Sequence, residues 1–236
     1  EAGRLSRYCR PVRVHEPDRD PRRFLGSLLD AAEGLDRPPL FPTNDRYLDF
    51  VSENRAALES RYRLQIADAG VLRQLLDKRG TWELAERHGM PIPPTRYPRS
   101  TDDLAAIRRE LRFPCIVKPV DTFSVAFPDS AKNFIAPNPD QLDEFFCARP
   151  DLMGKAVVQE VIQGGDGHIF VCAAYFDARS EARAVYTGRK IRQYPPDYGV
   201  TCFGESVSVP AIEEITIRFL KSVGFRGLVA AEYSRD

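Results

Sequence analysis

The stretch Ala156–Asp177, AVVQEVIQGGDGHIFVCAAYFD, constrains the chain more than any other. Val157, Val158, Val161 and Ile162 are β-formers, and Ile169–Phe176 is a second apolar run of strand length. Between them lies a polar corner, Gln163-Gly164-Gly165-Asp166-Gly167. Glycine lets the backbone turn with positive φ and lets a ligand come close to the main chain. The pattern predicts strand, turn, strand. Gln159, Glu160 and Asp166 bring an amide and two carboxylates to the corner. Such an edge suits a purine and a ribose. An ordinary β-hairpin with a solvated turn fits the same residues.

The chain has 236 residues, enough for two or three compact lobes with a core. A hydrophobic content of 43% and a charged content of 29% fit a globular protein. The 34 Lys and Arg balance the 34 Asp and Glu, which argues against a bulk electrostatic nucleic-acid binder. No apolar run approaches the roughly 20 residues that cross a bilayer, and no signal peptide is visible. Cys9, Cys115, Cys147, Cys172 and Cys202 are scattered, with no disulfide or zinc spacing, so reduced thiols in a cytoplasmic protein are expected. The chain opens on Glu1 and closes on Asp236 straight after a predicted strand, as a piece of a longer protein would.

Residues 1–20 are rich in Arg, Pro and Asp and read as a solvated face. A helix is predicted over Phe24–Ala32, then a short buried strand at Pro39–Phe41. Pro42-Thr43-Asn44-Asp45 leads from it into a helix predicted over Asp45–Tyr62. Asp45 makes a good helix cap there, and Asn44 or Asp45 at the end of a strand is also a candidate substrate contact. Asp77-Lys78 opens a helix predicted over Arg79–His88, and Met90–Thr95 (MPIPPT) is a proline-stiffened linker. Ser100–Leu111 reads as a capped helix, Phe113–Pro119 as a buried strand and Gln141–Cys147 as a helix. Strands follow at Arg183–Lys190 and Val200–Val209. A helix with Ile212, Ile215, Phe219 and Val223 on one face precedes a last strand, Gly227–Tyr233. Strands and helices in this order predict α+β architecture with antiparallel pairs in the second half.

Five motifs carry a resemblance. They are PTND at Pro42–Asp45, LLDKRGTWELAERHGMPIPPT at Leu75–Thr95, FPCIVKP at Phe113–Pro119, GRKIRQYPPDYG at Gly188–Gly199 and GFRGLVAAEYSRD at Gly224–Asp236. In this order, around Ala156–Asp177, they resemble the ATP-grasp superfamily, in its carbamoyl-phosphate-synthase-like and D-aspartate-ligase-like branch. The resemblance covers Pro39 to the end. It implies two α+β lobes that clamp a nucleotide, after a partial α/β pre-grasp lobe. The corresponding division is 1–92 for the pre-grasp lobe and its connecting helices, 93–155 for the first ATP-grasp subdomain and 156–236 for the second. Asp121–Pro128 stands where the family usually has a glycine-rich phosphate loop, and it contains no glycine.

A site for ATP needs cations along the phosphates, donors and acceptors at the adenine edge, and carboxylates for Mg²⁺. Lys118 ends a buried strand, so its ammonium must reach solvent or an anion. The resemblance puts it at the α-phosphate and purine. Lys78 gains nothing from the amino end of a helix, and by resemblance is the other phosphate lysine. The main chain of Glu160 and Ile162 would read the adenine edge with Gln159 nearby, and Asp166 would take the ribose hydroxyls. Lys190 and Arg192 alternate across Ile191, so in a regular strand both face one way. The resemblance places them at the γ-phosphate or an acyl phosphate. A basic strand surface is the bland alternative. By resemblance Glu232 is the first metal carboxylate. The family's second acidic ligand lies in a Glu-x-Asn pattern that this sequence does not contain after Asp236, so an incomplete metal site is expected.

The implied activity is ATP-dependent joining of a carboxylate to an amine, or less often a thiol, through an acyl phosphate. The partners expected are small molecules, with no nucleic acid and no membrane, and a homodimer is open to it. A non-catalytic or degenerate ATP-binding module, carboxyphosphate chemistry and an interaction domain without nucleotide are the rival readings.

Overall fold

The computed structural model describes residues 5–12, 14–120, 133–194, 196 and 199–235, and the chain divides into two compact units, 1–72 and 73–236. In the first unit, α1 (Pro21–Ala31) starts where the Asp20 carboxylate accepts the Arg23 N–H, with proline in its first turn. β1 (Pro39–Leu40) pairs in parallel with β2 (Arg63–Leu64). The predicted helix over 45–62 is broken at Asn54 into α2 (Asp45–Glu53) and α3 (Arg55–Glu59). Its cap is Asn44, whose Oδ1 accepts the Tyr47 N–H at 3.0 Å, so the capping expected of Asp45 falls one residue earlier. Phe24 packs edge-on against Phe50 inside this unit.

α4 (Ala69–Leu76) leads into the second unit, and a tight corner follows it. Asp77 caps α5 (Lys78–Arg87) by accepting the Gly80 N–H at 2.6 Å. Thr81 Oγ1 donates back to Leu75 O at 2.8 Å. A Cβ on Gly80 would sit 2.6 Å from Gln74 O, so glycine is required for the two helices to meet this closely. The corner fixes where Lys78 leaves α5.

Two antiparallel four-stranded sheets follow. The first has the order β3-β6-β4-β5, from Thr95–Arg96, Ala156–Glu160, Cys115–Pro119 and Phe134–Ala136. α6 (Thr101–Glu110) and α7 (Pro139–Ala148) belong with it. α6 opens on a full capping box between Ser100 and Asp103. Strand alternation divides this sheet's residues between two faces. Cys115, Val117, Ala156 and Val158 are buried in a core with Leu104, Ile107, Leu142, Phe145 and Phe146. Ile116, Lys118, Val157 and Gln159 take the opposite face.

The second sheet has the order β10-β7-β8-β9, from Gly227–Ser234, Ile169–Phe176, Ala182–Tyr194 and Val200–Ser206. Phe170, Cys172, Ala174 and Phe176 are buried on one face. On α8 (Pro210–Ser222), the buried residues are Thr216, Phe219 and Leu220 rather than the Ile212–Ile215–Phe219–Val223 stripe expected from periodicity. Thr216 Oγ1 and Tyr233 Oη share a 2.6 Å hydrogen bond that ties α8 to β10. No helix among the described residues is long and apolar enough to cross a membrane.

β6 and β7 do not form the hairpin that the sequence of 156–177 suggests. They belong to different sheets, and residues 161–168 carry the chain from one to the other. The corner needs Gly164, which has φ +151° and where a Cβ would lie 2.7 Å from the His168 side chain. The glycine-free stretch 121–128 lies outside the described residues, as do Pro195, Asp197 and Tyr198 of the Gly188–Gly199 motif.

β7 and β8 are joined by a turn built on Asp177. Its carboxylate accepts the N–H groups of Arg179 at 2.8 Å and Glu181 at 3.0 Å and pairs with Arg183 at 2.7 Å. The Glu181 amide, then Arg183 and the Arg179 amide, hold its pKa down to about 2. A carboxylate with a depressed folded pKa stabilises above its unfolded value of about 3.9, and that contribution is lost as pH falls through the folded value. In urea denaturation, Asp177→Asn is therefore expected to be weaker than the parent at pH 5, with the difference closing toward pH 2. A difference that does not change with pH would contradict the role given to this carboxylate.

Candidate functional site

The inward face of the first sheet and one face of the second bring the predicted cations together. Lys118 leaves β4 on the face away from the core, and its Nζ donates to Gln159 Oε1 at 3.2 Å. Lys78 reaches from the first turn of α5 to the end of the same strand, donating to Pro119 O at 2.9 Å. Burial lowers the pKa of Lys118, the Lys78 charge lowers it further, and the Glu232 carboxylate opposes both.

Glu232 stands on β10 opposite Val171 of β7, on the face away from the buried row Phe170, Cys172, Ala174 and Phe176. There it pairs with Lys190 of β8, Nζ to Oε1, at 2.8 Å. The two ends of this pair differ: the Lys190 side chain is 6% exposed and that of Glu232 59%. A buried ammonium needs a partner, and here it has a carboxylate that is itself open to solvent. Lys118 thus feels the charges of both Lys78 and Glu232, and Glu232 in turn is held by Lys190.

Arg192 does not join them. A β-bulge separates it from Lys190: Lys190 is opposite Gly204 and Arg192 opposite Phe203, two residues on β8 against one on β9. The alternation expected across Ile191 is broken, Lys190 is buried and Arg192 is exposed. The residue brought to the side of Lys190 is Gln193, 6% exposed, whose Oε1 lies 3.4 Å from Lys190 Nζ. Sequence reasoning missed Gln193 because a single extra residue exchanges the faces of a strand.

At the corner, the Glu160 N–H donates to Pro94 O at 3.0 Å and the Val161 N–H to Pro114 O at 3.0 Å. The Glu160 carboxylate accepts the Arg112 N–H at 2.8 Å, so its side chain points into the framework. What this leaves at the strand end is main chain, with the Ile162 N–H outside the hydrogen bonds formed among the described residues. Gln159 is buried, and its Nε2 donates to Thr95 Oγ1 at 2.9 Å. Thr95 is a second residue the sequence reading did not single out. Asp166 begins a short 3-10 turn, Asp166–His168, and its side chain lies outside the described residues. Cys115, Val117 and Val158 belong to the core and not to this face.

In the first unit, Asn44 is engaged as a cap. A surface depression of about 380 Å³ there is lined by residues including Arg46, Asp49 and Glu53, and Arg46 is already paired with Glu16 and Asp18. Among the described residues, no group of three or more His, Cys, Asp or Glu side chains is placed to hold a metal ion.

Comparison with known proteins bears on the fold. No protein-family model matches the chain. A D-aspartate ligase from Enterococcus faecium (strain Aus0004) is 24% identical over 164 residues, 66% of this chain and 39% of the ligase. Among solved structures, biotin carboxylase from Campylobacter jejuni in its β-γ-ATP complex superposes with a TM-score of 0.69 at 16% identity, over 92% of this chain and 50% of that one. D-alanine–D-alanine ligase from Bacillus anthracis superposes with a TM-score of 0.61 at 16% identity, over 90% of this chain and 69% of its own. The fold of this chain is the ATP-grasp fold. The chain spans 39% of the D-aspartate ligase and half of the carboxylase.

The unequal burial of the Lys190–Glu232 pair sets an order of mutational effects. Removing the carboxylate strands a buried charge, whereas removing the lysine leaves an exposed carboxylate that water can solvate. Glu232→Gln is expected to cost about 1–2 kcal/mol, less than the cost of breaking a fully buried pair. Lys190→Met is expected to cost less than Glu232→Gln. Chemical denaturation of the two variants checks this, and the reverse order would contradict it.

Proposed function

We propose that this chain is the nucleotide-binding part of an ATP-dependent carboxylate–amine ligase. The observation that carries the reading is that Lys78 and Lys118 meet at the end of β4 and that Lys118 feels the charge of Glu232, itself paired with Lys190, with the corner at 161–168 joining the two sheets. A polyanion is the ligand that these partly desolvated lysine ammoniums fit. ATP meets this demand with its phosphates. The main chain at Glu160 and Ile162 offers an acceptor and a donor to the purine edge. Similarity to a D-aspartate ligase and to the fold of D-alanine–D-alanine ligase supports joining to an amine.

In the reaction this reading assigns, a substrate carboxylate is phosphorylated to an acyl phosphate with release of ADP. The amine nitrogen then bonds to the carbonyl carbon, the carbon–oxygen bond to phosphate breaks, and the amine proton leaves to solvent. The chain's own contribution is positioning and charge. Lys118 and Lys78 hold phosphate oxygens, and Lys190 faces the charge that spreads over the transferring phosphoryl group. Arg192 carries no part in this scheme, because the bulge turns it away. Glu232 would be the carboxylate that holds Mg²⁺, which supplies further neutralisation of phosphate charge. With nucleotide and metal present, Lys190 and Glu232 would each exchange the other for a ligand of opposite charge. Small-molecule substrates and a cytoplasmic location, where all five free cysteines stay reduced, complete the proposal.

Calorimetry with Mg·ATP tests the reading. Micromolar binding is expected, and Lys118→Ala is expected to weaken it by about 10- to 100-fold, the loss of a charge-assisted contact. Equal affinity in the parent and in Lys118→Ala would refute the placement of the phosphates.

A further inference from the structure

Gln159 and Thr95 form a buried polar chain behind Lys118 that the proposed chemistry does not itself use. Thr95 Oγ1 donates its proton to Pro93 O at 2.7 Å. A hydroxyl has one proton, so toward Gln159 the same oxygen acts as an acceptor. It takes Gln159 Nε2–H at 2.9 Å. That fixes the orientation of the carboxamide, with Nε2 toward Thr95 and Oε1 toward the Lys118 ammonium at 3.2 Å. A flipped amide would set its N–H donors against the ammonium and its carbonyl oxygen against a hydroxyl whose proton is already committed, leaving a donor and an acceptor unmatched.

The prolines anchor this arrangement. Pro93 supplies the acceptor, and Pro94 O holds the Glu160 N–H at 3.0 Å on the next residue of β6. Proline has no N–H and a fixed φ, so these carbonyls are presented with little freedom. β3 pairs with β6 through Thr95–Gln159 and Arg96–Val158.

We infer that Thr95 is a positioning residue that acts through Gln159 to aim Lys118 and keep its ammonium hydrogen-bonded in the cleft. The inference rests on the reading of the cleft as a nucleotide site. It also removes Gln159 from the set of groups that read the base. Both ends of its carboxamide are engaged, so base recognition falls to the main chain at Glu160–Ile162.

Among the described residues, the charged groups that bear on Lys118 are Lys78 from α5 and Glu232 from β10, the latter bound to Lys190. Burial and Lys78 already disfavour the charged lysine, so losing the Gln159 acceptor disfavours it more. The test is Mg·ATP calorimetry between pH 7 and 10 on the parent chain, Thr95→Val, Thr95→Ser, Gln159→Met and Lys118→Ala. Thermal melting confirms that each variant is folded. Thr95→Val and Gln159→Met are expected to bind about tenfold more weakly, and their binding to fail roughly one pH unit lower than in the parent. Thr95→Ser keeps the hydroxyl and is expected to lie within about twofold of the parent, since it loses only a methyl group.

If Lys118→Ala loses binding while Thr95→Val keeps the parent's affinity and pH profile, the relay is overturned and the nucleotide site stands. If Thr95→Ser is as weak as Thr95→Val, shape rather than the hydroxyl is responsible and the relay is overturned. If the parent itself does not bind Mg·ATP, the reading of the site falls and this inference with it.

Discussion

Lys190 is almost wholly buried, and the Glu232 carboxylate is what makes that burial tolerable. The pair spans from β8 to β10 across β7, so it depends on the order of the second sheet and on the register that places Glu232 opposite Val171. Lys118 and Lys78 meet at the end of β4, where burial and then the Lys78 charge push the pKa of Lys118 down. Lysines gathered in a partly desolvated place are costly to keep unless an anion uses them. The lysines come from α5, β4 and β8, and the fold of the second unit is what brings these three elements to one place.

Two devices make that meeting reproducible. The α4–α5 corner, closed by Asp77, Thr81 and the bare Cα of Gly80, fixes the departure point of Lys78. The Thr95–Gln159 chain fixes Lys118 from the opposite side of the strand pair. Both use hydrogen bonds to aim a charged group, the first through the Asp77 carboxylate and the second through a neutral hydroxyl and carboxamide.

Much of this could be read from the residues. Lys118 at the end of an apolar run has to leave a core face, and alternation then sends it to the cleft on the same face as Gln159, which lies diagonally across, two residues beyond its register partner Val157. The capping box of α6 and the Asp77 cap of α5 follow from local chemistry. Three features were not legible, each for a physical reason. Asn44 and Asp45 are both good caps, and only backbone conformation decides between them. β6 and β7 have the composition and spacing of a hairpin, yet each pairs more extensively elsewhere, with β4 and with β8 and β10. The bulge after Lys190 exchanges Arg192 for Gln193 at the site, and a single-residue insertion into a ladder leaves no composition signal.

The corner at 161–168 joins a sheet that carries Lys118 to a sheet that carries Lys190 and Glu232. A nucleotide held there would fill the main-chain edge that ends β6, and the Ile162 amide is the group through which this is most directly observed. Residue-resolved amide hydrogen exchange, with and without Mg·ATP, reads that group itself. Slower exchange at Ile162 on adding Mg·ATP is expected, with residues 39–64 of the first unit unchanged. Unchanged exchange at Ile162 in the presence of saturating Mg·ATP, or protection confined to the first unit, would contradict the assignment of the cleft.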